Sequence, residues 1–283
     1  MNYLLLIFII FAMSLQGVFQ KQYNIKTNSA GAFIFSSVSM LFAALVFVIT
    51  SGFKLSFNAE VLPYCILFAL FFGMAILFTF LAVREGSLSF TSLASSYSLV
   101  IPTLSGIVLY NETVSTFFFV GLVSLLLSLV LINEYKDGKR FTAKWVVFAV
   151  LAFIGNGFCS TVQTYQQRVF NGAYKSELMI IALLLVSVFF FIMSFVKEKS
   201  SIKLCTQKGW LLMAAYGFSI GIVNLLVMVL SRRMNVSVMF PLISAGGLVV
   251  TSLISIIIYK EKLTKKQYLG LILGVFAVVF INL

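Results

Sequence analysis

The sequence predicts an all-α integral membrane protein, with ten transmembrane helices arranged as two inverted five-helix repeats. Three observations carry that expectation. Mean hydropathy over the 283 residues is +1.09, with 61% hydrophobic and 10% charged residues; soluble domains do not have such a composition, and multi-pass membrane proteins do. The apolar residues fall into ten runs, each close to the roughly 20 residues a helix needs to cross the hydrocarbon core. The second part of the chain also repeats the first, with five runs in each.

The runs cover about 3–20, 29–50, 61–83, 88–110, 114–132, 144–165, 176–196, 209–231, 236–258 and 264–282. The first has the length of a secretory signal. It lacks a basic leading segment and reads into GVFQKQYN without a small-x-small cleavage site, so it is expected to stay as a helix. The third ends at Arg84, the fourth is rich in serine and carries Pro102, and the fifth follows Glu112. A polar stretch, NEYKDGKRFTAK, separates the fifth from the sixth. Further polar stretches, TYQQRVFNGAYKSE and KEKSSIKLCTQKG, precede the seventh and eighth; the eighth ends at Arg232 and Arg233. The ninth carries Pro241 in PLISAGG, and the tenth follows Glu261 and contains Gly270-x-x-x-Gly274. No soluble domain is inserted. The organisation expected is a first five-helix repeat over 1–132, a linker loop over 133–143 and a second five-helix repeat over 144–283.

The repeat is visible residue by residue. An offset of 149 positions brings Arg84 onto Arg233, Tyr110 onto Tyr259, Glu112 onto Glu261 and Gly121 onto Gly270. Nearer the start, Gln16-Gly17 matches Asn156-Gly157. Because five is odd, the second half enters the membrane from the opposite side, and the halves become inverted repeats about an axis in the membrane plane. Many secondary transporters obtain alternating access from that symmetry, with substrate held near the midplane.

Ten spans in two halves, each half with a loop Glu (YNET, YKEKLT) followed nine residues later by a Gly that opens the last helix, resemble the EamA-like branch of the drug/metabolite transporter superfamily. The resemblance covers the whole chain through short motifs. It implies a secondary transporter that moves a small metabolite, an amino acid or similar neutral or zwitterionic solute, as exporter or exchanger. Drug efflux and lipid-linked sugar flipping are alternatives in the same fold, and a non-transporting membrane scaffold is an alternative outside it.

Residues 87–106 hold seven serines, two threonines, a tyrosine and a proline. On a helix, Thr91, Ser95, Ser98, Pro102 and Ser105 form one seam. Two readings compete for it. Small hydroxylated residues let helices approach and can bond the carbonyl one turn back; alternatively, they line a cavity that the carbonyl freed by Pro102 also faces. Tyr97 belongs with the second reading, and Pro102 and Pro241 are the candidate kink and gating positions. Four amides lie in apolar runs, Gln16, Asn156, Gln163 and Asn224. An amide in hydrocarbon is costly unless partnered, so these face the bundle interior, either lining the pathway or joining helices. The candidate substrate-binding set is therefore Gln16, Tyr97, Asn156, Asn224 and Gln163.

The eight carboxylates all map to loops or helix ends. Proton-coupled antiporters of cations need an embedded carboxylate, and the small multidrug members of the resembled superfamily have one in their first helix, where this chain has Gln16. A solute moved without such a proton site is expected. Histidine is absent, and Cys65, Cys159 and Cys205 are too widely spaced for a metal or disulfide motif. No enzyme chemistry, metal or other cofactor is expected, and without a nucleophile–base pair a serine alone is a weak catalyst.

The net charge of +12 lies in loops between apolar runs, which excludes a nucleic-acid groove and fits topology signals and contact with the lipid bilayer. Loops 1–2, 3–4, 5–6, 7–8 and 9–10 carry three quarters of the 20 Lys and Arg residues. The positive-inside rule puts that face in the cytoplasm and both termini outside, whereas the resemblance implies termini inside. The expected location is the plasma (inner) membrane of a bacterium. Gly270 and Gly274 form a small-residue face on the last helix, which serves internal packing or, together with the last helix of the first half, a weak homodimer. Glu112 and Glu261 are expected at the starts of the fifth and tenth helices, where acid complements the dipole.

Overall fold

The computed structural model describes residues 2–56, 58–85, 91, 95–132, 142–259 and 264–281. Among them are ten helices: α1 (Asn2–Thr27), α2 (Ala32–Thr50), α3 (Leu62–Glu85), α4 (Val100–Tyr110), α5 (Thr116–Ile132), α6 (Ala143–Val169), α7 (Lys175–Lys197), α8 (Ile202–Leu230), α9 (Val236–Tyr259) and α10 (Lys265–Ile281). Seven of the described helical segments are long and apolar enough to cross a membrane, and two further apolar helices, Ser95–Tyr110 and Thr116–Leu131, are shorter. The expected linker through residue 141, the serine-rich stretch before Ser95 except Thr91, and the second loop motif with Glu261 lie outside the described residues.

The helices match the apolar runs, with three differences. α1 continues to Thr27 and α8 begins at Ile202, several residues beyond the apolar sequence at each place. Hydropathy marks only the part of a helix in hydrocarbon. The backbone ladder continues into the headgroup layer, where Lys21, Lys26, Lys203 and Lys208 are exposed and reach water on apolar stems. The fourth span is interrupted: Ser95–Tyr97 is helical, Ser98 and Leu99 form a turn, and α4 proper starts at Val100. Pro102 has no N–H for the Ser98 carbonyl, which accepts instead from Ile101 N at 3.1 Å, tightening the turn. α9, by contrast, runs continuously through Pro241.

Much of the packing follows the repeat: for three of the helix pairs that touch, n and m, helices n+5 and m+5 touch as well. The α3–α6 contact has its counterpart in α1–α8, α3–α7 in α2–α8, and α4–α6 in α1–α9. Three contacts join a helix to its own counterpart: α2–α7, α4–α9 and α5–α10. At α2–α7, Ser37 Oγ donates to the Ser187 carbonyl at 3.0 Å and Ser187 Oγ donates to the Ser37 carbonyl at 2.9 Å, across 150 residues of sequence. A reciprocal contact of this kind is the mark of two-fold-related surfaces.

The packing also interleaves the two halves. Grouped by the repeated contacts, the helices fall into two bodies, α1 and α2 with α8 and α9, and α3 and α4 with α6 and α7, which also pack on each other through α2–α7 and α4–α9. α5 and α10 pair beside them. There Ser128 Oγ donates to the Gly270 carbonyl, and Gly274 faces Ser128. The Gly270/Gly274 face is therefore buried inside the chain. Apolar cores sit at the two ends of the molecule, one with Phe47, Phe68 and Phe190 fully buried, the other with Ile9, Leu125 and Met239. The outer surface is apolar, as at Leu4, Val108 and Ile257, which suits lipid tails.

Candidate functional site

Gln16 and Asn156, the matched amides, sit well inside α1 and α6 and are half-buried. Among the described residues neither side-chain amide has a hydrogen-bond partner. It is the backbone carbonyl of Asn156 that accepts from Cys159 Sγ and Ser160 Oγ. The other amides do have partners. Gln163 is buried and its Nε2 donates to the Asn224 carbonyl at 3.0 Å, tying α6 to α8. Asn224 Nδ2 donates back into its own helix, to the Ile220 carbonyl at 2.9 Å. Tyr97 OH donates to the Leu126 carbonyl of α5 at 2.9 Å. The structure thus joins Gln163 to Asn224 and ties Tyr97 to a separate helix.

The hydroxyl seam is largely used in local packing. Ser98 and Ser105 donate to carbonyls three residues back, and Thr91 accepts from Trp145 Nε1 at 3.0 Å. Ser95 is the exception, since its Oγ is buried without a partner among the described residues. Pro102 and Pro241 are both buried.

A carboxylate that the sequence placed at the start of the fifth helix does something else. Asn111 takes the left-handed conformation (φ 51°) that ends α4, and the Glu112 N–H returns to the Gly106 carbonyl at 3.2 Å, a helix-terminating turn that Asn tolerates. The turn sends the Glu112 side chain across to the other body. Its carboxylate accepts from Val236 N at 3.0 Å, from Ser237 N at 2.8 Å and from Ser237 Oγ at 2.8 Å. The two N–H groups are orphan donors of the first turn of α9, and the positive end of that helix favours the charge. Arg168, at the end of α6, completes the group with an ion pair to Glu112 and lies 4.2 Å from the centre of the Tyr110 ring. No sequence pattern announces this contact, because all of the partners lie far away in the chain and two of the four are backbone N–H groups. The Asn-Glu pair after an apolar run is the only local signal.

Two clefts of about 320 and 340 Å³ open beside this cluster, both walled by Arg232 and Arg233, one also by Lys175 and the other by Arg168. None of the five expected substrate-binding residues lines them. On the opposite face, Glu198 accepts from Phe33 N at 3.0 Å and Ile34 N at 3.3 Å, capping α2. Burial raises its carboxyl above the usual carboxylate range, and the backbone N–H groups of α2 oppose the rise.

Comparison with known proteins decides the family. The model of the EamA-like transporter family matches residues 139–283, more than half of the chain. The chain belongs to the EamA-like transporter family. It is a multi-pass membrane transporter of the drug/metabolite transporter superfamily. Among curated proteins none matches significantly. A crystal structure of a protein without a stated function is similar to this EamA-like chain over 100% of its length and 98% of the other, with a TM-score of 0.81 at 15% identity. That likeness extends the shared fold to the part of the chain the family model leaves unmatched.

Proposed function

We propose that this EamA-like transporter moves a small neutral or zwitterionic metabolite by alternating access, as an exporter or exchanger, with residues 1–132 and 144–283 acting as its two repeats. The carrying observation is the matched pair Gln16 and Asn156. Both amides are half-buried in corresponding helices of opposite bodies without a protein partner among the described residues. An amide in that position needs a polar guest, water or solute. It both donates and accepts, which suits a zwitterion and gives no preference to a cation. The described carboxylates support the same choice: Glu60, Glu85, Glu112, Glu177 and Glu198 all lie at helix ends or in connections, so no described acid offers an embedded proton site. Loop charge supports a cytoplasmic face formed by the loops after α1, α3, α5, α7 and α9, in a bacterial inner membrane.

The test is flux in proteoliposomes. Asn156→Leu and Gln16→Leu are each expected to abolish uptake of a solute that the wild type carries, with purification yield and thermal stability unchanged. Unchanged uptake in both variants would remove the pair from the pathway.

A further inference from the structure

We propose that Glu112 is the latch of one mouth of the transporter, the mouth formed by the connections α4–α5, α6–α7 and α8–α9. Its carboxylate holds the start of α9 against α4 when that mouth is shut and lets go when it opens. The latch rests on the alternating-access reading above.

The cluster is built for release. Glu112, Tyr110 and Arg168 belong to the body that contains α4 and α6, while Val236 and Ser237 open α9 in the other body. Glu112 has only 9% of its surface exposed, and a buried carboxylate stripped of its partners would be costly. Separating the bodies does not strip it. Arg168 travels with it, and the Arg168 side chain is already 34% exposed, so water has a route in. Opening exchanges three donors on α9 for water and leaves the ion pair intact. Closing returns the charge to the positive end of a helix whose first N–H groups have no other partner. Charge-assisted bonds to backbone N–H groups are strong, and they are also directional, so they hold one closed position rather than a range.

The two other contacts between counterpart helices are built differently. α2–α7 and α5–α10 use buried serine-to-carbonyl bonds and small residues, with no charge among them for water to claim. They suit a fixed axle. Gly106 sets the fit at the latch: a Cβ there would lie 2.5 Å from Glu112 Oε2 and 2.6 Å from Ser237 N, so only glycine lets the mouth close. In the sequence repeat the counterpart of Glu112 is Glu261, which lies outside the described residues.

Spin labels test this. One pair, on cysteines introduced at the exposed positions Leu4 and Ala173, spans the two bodies at the Glu112 mouth; a second, at exposed Lys144 and Gln207, spans them at the other mouth. The three native cysteines are buried and stay in place. Distances are measured by pulsed electron resonance in liposomes, with and without a mixture of the standard amino acids. In the wild type the first pair populates a short and a long distance. Glu112→Gln, which removes the charge and an acceptor, shifts the ratio toward the long distance by at least about tenfold, the worth of one charge-assisted bond. Gly106→Ala leaves every latch group in place and shifts it the same way, so it decides the matter if the Gln variant does not fold. A wild type in which the second pair moves, with the first pair at one distance or unmoved in both variants, overturns the latch and spares alternating access. A wild type in which neither pair moves overturns both.

Discussion

At the scale of single residues, the Glu198 carboxylate at the N-terminus of α2 makes part of the stability depend on pH. Glu198 caps α2 through the N–H groups of Phe33 and Ile34, and burial holds its carboxyl above the ordinary value. A group whose folded pKa is raised favours folding below its unfolded pKa, and that contribution is lost as pH rises through the folded value. Wild-type thermal stability in detergent is therefore expected to carry a component that falls as pH rises from about 4.5 toward neutrality. Glu198→Gln, whose amide oxygen can still accept from Phe33 N, removes that component, so the difference between variant and wild type changes with pH. A pH-independent difference would show that desolvation of Glu198 is not felt. The Ser37–Ser187 pair gives a second residue-scale prediction. Each hydroxyl serves the other's carbonyl, so Ser37→Ala costs about 1 kcal/mol. The double alanine variant departs from the sum of the singles, because the two hydroxyls also lie 3.2 Å from each other.

At the scale of helices, glycine positions separate contacts from surface. A Cβ on Gly217 of α8 would lie 2.2 Å from the Ser39 carbonyl oxygen of α2, whereas Gly17 in α1 has nothing within 4 Å. Gly217→Ala forces two backbones apart and is expected to destabilise by roughly 1–3 kcal/mol. Gly17→Ala is expected to be neutral or to stabilise by up to about 1 kcal/mol through helix propensity. Thermal unfolding of the two variants side by side checks this, and equal effects would mean that the α2–α8 contact is looser than described. Helices are also the scale at which the sequence is most informative. Ten apolar runs give ten helices, and Pro102 announces the turn at Ser98–Leu99. What runs past them, the ends of α1 and the start of α8, follows from hydrogen bonding that hydropathy does not see. Amide positions were legible as polar residues in apolar runs, but not their use. Gln163 and Asn156 look alike in sequence, and only the fold shows that one reaches the Asn224 carbonyl while the other reaches no described side chain.

At the scale of the whole molecule, the repeat read from Arg84, Tyr110 and Glu112 and their counterparts describes how the chain is written; on the proposed reading, the packing bodies describe how it moves. Each body takes two helices from each half, an arrangement no periodicity reveals, since periodicity speaks of one helix at a time. On the proposed alternating-access reading, such a transporter opens by separating α4 from α9 at either mouth, with α2–α7 and α5–α10 as the fixed contacts, and its solute meets amides rather than acids between the bodies. The most direct measurement of that account is counterflow in proteoliposomes preloaded with unlabelled amino acids and small metabolites. Uptake of each labelled compound is followed with and without a pH gradient, in the wild type and in Asn156→Leu. The account predicts uptake of at least one neutral or zwitterionic solute that needs no gradient and is lost in the variant. Uptake that appears only with a pH gradient, or that survives unchanged in Asn156→Leu, would contradict it.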